Sequence, residues 1–519
     1  MKTKSLFVLF MLVSQVSISQ ENAVLYKNSK VENSEKYKTG NIYQKDFLLF
    51  MDILRTSHPA FCDDATFPFN INSMEEDGYL KLNKKPNKEN LQLLLQMVAA
   101  QLNDGHTFIS NTLDFSNNAF YPINIRKYGG SYYIRVIDKE YESVLGCAIK
   151  TINEIPIDSV INDFGKYISH ENHNELEIRA IECLVLPYFW QQIPYCRQDS
   201  TILISFEDGQ EISISAKYRK DMNLAVMPQQ GTEELTKPNN QLFSYQINEN
   251  SKICYLQFNT CMDYNTLVYQ IEMTAKNEEQ KQKMYEELET QKGFYPKFDH
   301  FLENMFAEIS AKNITALVVD VRNNGGGNSA LCNQLLSYLL DYENLKEISS
   351  FIRISELFKL KYPEIFKRAV DFNENIVIGN LYNCKDLNIG EDNEDILNKF
   401  FPVNNDSSKI FRGKTYFIQG KGTYSSAGEL IILARDNKIG TIIGENSIYR
   451  PCNYGDILMW QLPNTNITGG VSHKYFIRPQ ESLCYEDAIN PDIVIESSTD
   501  EVKKGIDVVW RWIIDNNNK

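Results

Sequence analysis

At 519 residues and 43% hydrophobic content, the chain exceeds what one hydrophobic core usually serves, so two or three domains are expected. A net charge of −15, without a run of lysines and arginines, excludes a phosphate-tracking surface and makes nucleic acid an unexpected partner. The ten cysteines are scattered with no C-x-x-C pair, which excludes zinc-ribbon and thioredoxin spacing; Cys452 and Cys484 are the pair singled out for a bridge.

The opening "MKTKSLFVLFMLVSQVSISQE" has two early lysines, an apolar stretch from Leu6 to Val13 and small residues at Ser17 and Ser19. This is the pattern of a cleaved secretory signal over residues 1–19, so an exported protein, periplasmic or secreted, is expected. No segment reaches the about 18 apolar residues of a membrane span, so no stable membrane insertion is expected. Residues 20–41 are polar and are expected to form a flexible arm. Two helices follow in a region taken as 42–118. The first, "NIYQKDFLLFMDILRTSHP", stops at Pro59; the second sets Leu91, Leu94, Leu95, Val98 and Leu102 on one face and delivers Asp104, Gly105 and His106 to a turn.

Residues 119–248 change to short alternating runs, with hairpins predicted at Gly129–Gly130 and Asp208–Gly209 and a helical insertion near 158–186. Residues 249–519 alternate apolar strands ("KICYLQF", "ITALVVDV", "KTYFIQG", "GTIIGE") with helices, the signature of an α/β core around a largely parallel sheet.

Two strand-to-helix turns in that core carry unusual residues. In "VVDVRNNGGGNSA" three glycines allow close backbone approach and expose amides, although a tight turn alone would also use them. The P-loop and dinucleotide fingerprints are both absent. In "KGTYSSAGELIILA" a serine at the first turn of a helix meets unpaired amides and the positive end of the helix dipole, which suits an oxyanion but is also ordinary capping.

Together with "LNDGHTF", "GTIIGENS" and "NPDIVI", in this order, these turns resemble the C-terminal-processing (tail-specific) serine peptidase family over residues 42 to 515. The resemblance implies a helical N-terminal region, a β-rich PDZ-like domain and an α/β, ClpP/crotonase-like catalytic core. "GCAIKTINEIPIDSVI" is similar to a PDZ-like stretch, with Glu154 where glycine is usual. The family pattern T-x-S-x-x-E-I places the glutamate at Glu429 and the nucleophile at Ser426, with Ser425 packing or capping beside it. It implies an oxyanion hole from the Gly326 and Ala427 amides.

For the base, the family's serine–lysine design expects a lysine where this chain reads "GENSIYRPCNYG". Arg450 cannot serve because it keeps its proton, and Lys421 stands before the nucleophile as the alternative. The tricorn-core-like and retinoid-binding-like branch uses a histidine from the helical region, and "NDGHT" matches with His106. Glu486 in "SLCYEDAINPDIVI" is the implied orienting acid, with Asp104 or Glu481 as substitutes. The match departs at Gly105, where the relay has serine, and at Ala488, where it has glycine. "HENH" at 170–173 lacks H-E-x-x-H and is expected to be a solvated helix face; "KNEEQKQKMYEELETQKG" is expected to be an exposed helix or lid.

The expected function is a serine endopeptidase acting on unfolded or loosely structured polypeptides, with tail recognition implied by the resemblance and no metal or organic cofactor. A non-catalytic peptide or apolar-ligand binder on the same scaffold is the alternative.

Overall fold

A computed structural model describes residues 23–62, 70–110, 118–191, 193, 201–227 and 236–517 except 276, 292, 388 and 390–393. The predicted signal segment lies outside the described residues. Helix α1 (Ile42–Ser57) starts at an Asn41–Gln44 capping box and ends before Pro59, which cannot continue a helix. It buries Phe47, Leu49, Phe50, Met51, Ile53 and Leu54 completely. Helix α2 (Lys88–Ala100), capped by Asn87, turns Leu91, Leu95 and Val98 into the same core.

That core is completed from far along the chain. Val24–Leu25, Asn453–Gln461, Thr468–Ile477, Ser349–Arg353 and Leu381–Asn383 form one sheet in that order, and Phe108–Ile109 joins at Thr468–Ile477. Phe50 packs on Trp460 with ring centroids 5.5 Å apart. Asp46, wholly buried on α1, accepts from Asn464 Nδ2 at 2.7 Å and from the Thr465 amide and hydroxyl at 2.8 and 2.6 Å. The N-terminal region is therefore one layer of a larger unit. Its sequence shows only the helices, because the longer strands they cover lie over 240 residues away.

The expected flexible arm is a correction of the same kind. Val24–Leu25 pairs with Trp460–Gln461, and Tyr26 is fully buried with its hydroxyl donating to Asp52 at 2.6 Å. Three apolar residues in a polar stretch are enough to seat a strand once a sheet edge is available.

In the middle region a seven-stranded antiparallel sheet includes both predicted hairpins, with Gly129, Gly130 and Gly209 at positive φ in the turns. Its buried face (Ile134, Ile152, Ile202, Ile204) packs on Phe164 and on Ala180 and Ile181 of helix α3 (His173–Cys183). The boundary at 248 moves: Phe243–Asn248 pairs antiparallel with the first core strand and belongs to the core sheet.

That sheet continues through β1 (Ile253–Phe258), β2 (Ala316–Asp320), β3 (Lys414–Gln419), β4 (Thr441–Gly444) and β5 (Ile493–Val494), all mutually parallel. Helix α4 (Ser329–Leu336) follows β2, and helix α5 (Ser426–Asp436) follows β3. Both cover one face; Val509, Trp510 and Ile513 of the C-terminal helix cover the other. Because β2 and β3 are neighbours, the glycine turn and the serine turn leave their carboxyl ends side by side, the usual crevice of such sheets.

Cys452 and Cys484 are joined across 32 residues. Cys452→Ser is expected to cost about 3 to 4 kcal/mol through the freed loop, read as a lowered urea midpoint with reductant abolishing the difference between variant and wild type.

Candidate active site

The serine turn is held before the helix begins. Thr423 Oγ1 donates to the Val321 carbonyl at 2.8 Å and accepts from the Gly420 amide at 3.0 Å. Ser425 has φ 53 and ψ −127, a left-handed backbone that a serine rarely adopts and that the surrounding contacts must impose. Its side chain makes no capping bond; it packs on Gly326, where an added Cβ would stand 2.7 Å from Ser425 Cβ. Ser426 thus becomes the first residue of α5, buried at 3% exposure. Its Oγ donates to the Gly327 carbonyl at 2.9 Å and lies 2.9 Å from Ser329 Oγ, at the start of α4. Ser329 also bonds the Glu429 carboxylate. Burial pushes the Glu429 pKa up, against the opposing Ser329 bond and the His106 charge.

The glycine turn is built for close approach. Gly326 and Gly327 have φ 98 and 141, and a Cβ on Gly327 would meet the Cys261 carbonyl oxygen at 2.2 Å. The Cys261 amide donates to the Gly326 carbonyl at 3.0 Å, and the Asn328 amide donates to the Cys261 carbonyl at 2.7 Å. The two expected oxyanion donors are occupied. The Gly326 amide donates to Asn324 Oδ1 at 2.9 Å, and the Ala427 amide donates to the Tyr424 carbonyl at 3.2 Å. Either amide must give up that acceptor to hold an oxyanion.

His106 sits in a turn set by Asn103 at φ 49 and by Asp104, whose Oδ1 accepts from the His106 amide at 2.8 Å. Asp104 Oδ2 faces His58 Nε2 at 3.1 Å. Burial alone would raise the Asp104 pKa, but the hydrogen bond and charge of His58 hold it well below the usual carboxylate range. The His106 ring stacks on Tyr424, two residues before Ser426, with centroids 4.8 Å apart. It stands edge-on to Tyr449, which packs on Gly428 of α5. Nδ1 lies 3.2 Å from Tyr424 Oη and 3.3 Å from Glu171 Oε1. Burial lowers the His106 pKa, yet the Glu171 bond and charge, with Asp104 and Glu175, outweigh it, and the net shift is upward.

The surroundings of His106 come from the middle region, and "HENH" is corrected by them. Glu171 and Asn172 are buried at 2% and 8% exposure. Asn172 caps α3 and donates to the Ile448 and Asp487 carbonyls. Glu175 accepts from the Glu171 amide at 2.6 Å and pairs with Arg179 at 2.5 Å; Arg179 also donates to the Gly105 carbonyl at 2.9 Å. Burial raises the Glu175 pKa to about 7. The departure at Gly105 fits this packing: an added Cβ would meet Tyr424 Oη at 2.3 Å and Glu175 Oε1 at 2.5 Å, so a serine there would have to displace both groups.

Glu486 is brought elsewhere. Its carboxylate accepts from Arg478 Nη1 at 2.8 Å, with Arg435 at 3.8 Å, whereas the carboxylate at His106 is Glu171. The reason is Arg478, a buried guanidinium beside Asp436 that draws the nearest further acid. Lys421 is paired with Glu177 at 3.2 Å. Among the described residues, one atom each of Asp104, His106 and Glu171 lies within 4.8 Å of the others and could hold a cation, though the two carboxylates already accept several hydrogen bonds. Sequence reasoning missed Glu171, Tyr424 and Ser329. The first has a signal, two glutamates four apart at a helix start, but nothing links it to residue 106.

No curated protein matches the sequence. The Peptidase family S41 model matches residues 283–495, a stretch that takes in the glycine turn and Ser426 but not His106. The fold is similar to mature CPAF (14% identity, TM-score 0.60, 93% of this chain and 96% of that one). It is equally similar to mature CPAF complexed with lactacystin (15%, 0.60, 93% and 98%). The photosystem II D1 C-terminal processing protease matches at 12% identity and TM-score 0.40, over 88% of this chain and 93% of that one. Residues 283–495 are thus a Peptidase family S41 domain, and by that domain the chain is a serine-type peptidase.

Proposed function

We propose that the chain is an exported serine endopeptidase that cuts unfolded or loosely structured polypeptides through an acyl-enzyme, with Ser426 as nucleophile and His106 as base. The observation that carries this reading is the seat of Ser426: first in α5, after a left-handed Ser425, with its Oγ 2.9 Å from the glycine turn. There the helix dipole and nearby amides favour negative charge as it develops on the substrate oxygen. In the resting state the Ser426 proton is donated to the Gly327 carbonyl, so attack begins by releasing that bond. Oγ then bonds to the peptide carbonyl carbon while its proton passes to His106. The C–N bond breaks as the departing amine takes that proton, and water repeats the cycle to free the acid. The oxyanion falls to the Gly326 and Ala427 amides once Asn324 and the Tyr424 carbonyl release them.

Export rests on the leader-like opening, and the Cys452–Cys484 bridge fits an oxidising compartment. Among the described residues no helix is long and apolar enough to cross a membrane. Recognition of a substrate's C-terminal tail is assigned to the middle region, on the resemblance of its sequence to PDZ-like domains.

A peptide-binding, non-catalytic reading is favoured by one observation, the prior engagement of both oxyanion amides. Labelling with a serine-directed phosphonate separates the two. Covalent mass at Ser426 is expected, because an activated hydroxyl attacks the phosphorus and expels its leaving group. The labelling rate should fall on acidification with a midpoint above the usual histidine value of about 6.5, because His106 must be neutral to accept a proton and its pKa is shifted upward. No adduct at any pH would leave the binder.

A further inference from the structure

We infer that Glu171, just before the Asn172 cap of α3 in the middle region, is the positioning carboxylate that fixes the tautomer of His106, in the place the sequence pattern offered to Glu486. The inference deepens the peptidase reading and rests on His106 being its base.

The protons decide it. Tyr424 Oη has one proton and donates it to Glu171 Oε1 at 2.7 Å. The same oxygen is 3.2 Å from His106 Nδ1 and so presents only lone pairs to it. Glu171 Oε1, at 3.3 Å, also presents only lone pairs. Two acceptors on one nitrogen require that Nδ1 carry the hydrogen, which leaves Nε2 as the basic nitrogen. Glu171 Oε2 accepts from the Arg450 amide at 2.9 Å, so the carboxylate is held at both oxygens and cannot swing away without losing both sets of bonds.

The competing acids are otherwise engaged. Asp104 Oδ1 is 3.9 Å from Nδ1 and already accepts from the His106 amide. Glu486 is on Arg478, and Glu481 is exposed. The groups around the imidazole are Asp104 from the histidine's own turn, with His58 from the end of α1 behind it; Glu171 just before α3, and Glu175 and Arg179 within it; Tyr424 from the serine turn; Tyr449 and Arg450 from the segment after β4; and Glu429 from α5. Base, orienter and nucleophile therefore come from three separate regions, and the site is incomplete unless the middle region is docked.

The test is Glu171→Gln in the full mature chain, with Glu171→Asp and Glu486→Gln beside it. Glu171→Gln should lower kcat about 10³- to 10⁴-fold with KM within about threefold, because the amide can donate to Nδ1 and stabilise the wrong tautomer. The residual activity should keep its lower pH limb at more acid values, since the anion that raises the His106 pKa is gone. Glu171→Asp should recover part of kcat. In ¹⁵N-histidine spectra a hydrogen-bonded Nδ1 proton should be present in the wild type and absent in Glu171→Gln, at equal melting temperature. Retention of kcat within tenfold by Glu171→Gln, or loss of kcat and a shifted limb in Glu486→Gln alone, would overturn the inference. Should the wild type cut nothing, the peptidase reading fails by itself, and the Nδ1 proton alone decides the assignment: its loss in Glu171→Gln supports it, its persistence rejects it.

Discussion

Ser426→Ala is expected to lower kcat by about 10⁶-fold, and His106→Ala by a similar factor, with the double variant scarcely worse than either. In the proposed mechanism the two act as one unit: a hydroxyl without a base is a poor nucleophile, and a base without the hydroxyl has nothing to activate. Neither change should unfold the protein. Ser426 is small, and its helix stays anchored by Leu430, Ile431 and Ile432, all fully buried, while the His106 turn keeps the Asp104–His58 contact. The measurement is digestion of an unstructured protein by the mature chain, with circular dichroism of each variant as the folding control. Equal activity of Ser426→Ala and wild type would remove Ser426 from the mechanism.

The second large effect is on stability. The side chains of Arg478 and Asp436 are both buried, 2.6 Å apart: the Arg478 guanidinium bonds both Asp436 oxygens, and the Gln480 amide bonds one. Arg478→Ala leaves that carboxylate in the interior without its cation and should cost about 3 to 5 kcal/mol, against about 1 kcal/mol for losing an exposed pair. Urea unfolding should show a lower midpoint with unchanged slope. A companion Asp436→Leu in the Arg478→Met background should recover much of the loss, because the cost is of leaving one charge unpaired. A loss below about 1 kcal/mol for Arg478→Ala would show that water reaches Asp436.

The same ion pair explains why Glu486 could be placed near the right motif and yet not at His106. Sequence spacing carries the distance to Ser426 along the chain; it does not carry the position of Arg478, eight residues earlier, which binds the Glu486 carboxylate. Glu171 shows the converse. Its neighbours "HENH" look like a polar helix start, and burial of Glu171 depends on Tyr424 and Arg450, more than 250 residues on. Polar residues that satisfy one another across domains leave no hydrophobic period to read.

What the amino-acid order determined alone is the local and the periodic: the parallel core strands, whose apolar runs are long enough to be buried on both faces; the glycine turn, where Gly327 combines φ 141 with an approach of 2.2 Å that a Cβ would make to the Cys261 carbonyl; the hairpins; and the serine at a helix start. What only tertiary structure decided is how distant pieces close on one another: the seating of Val24–Tyr26 on a sheet edge near residue 460, the core shared by α1 and Trp460, the occupied oxyanion amides, and the carboxylate at His106. The physical reason is range. Backbone conformation and burial periodicity are set within a few residues, whereas which acid meets a buried base is set by the desolvation of charges brought together from separate parts of the chain.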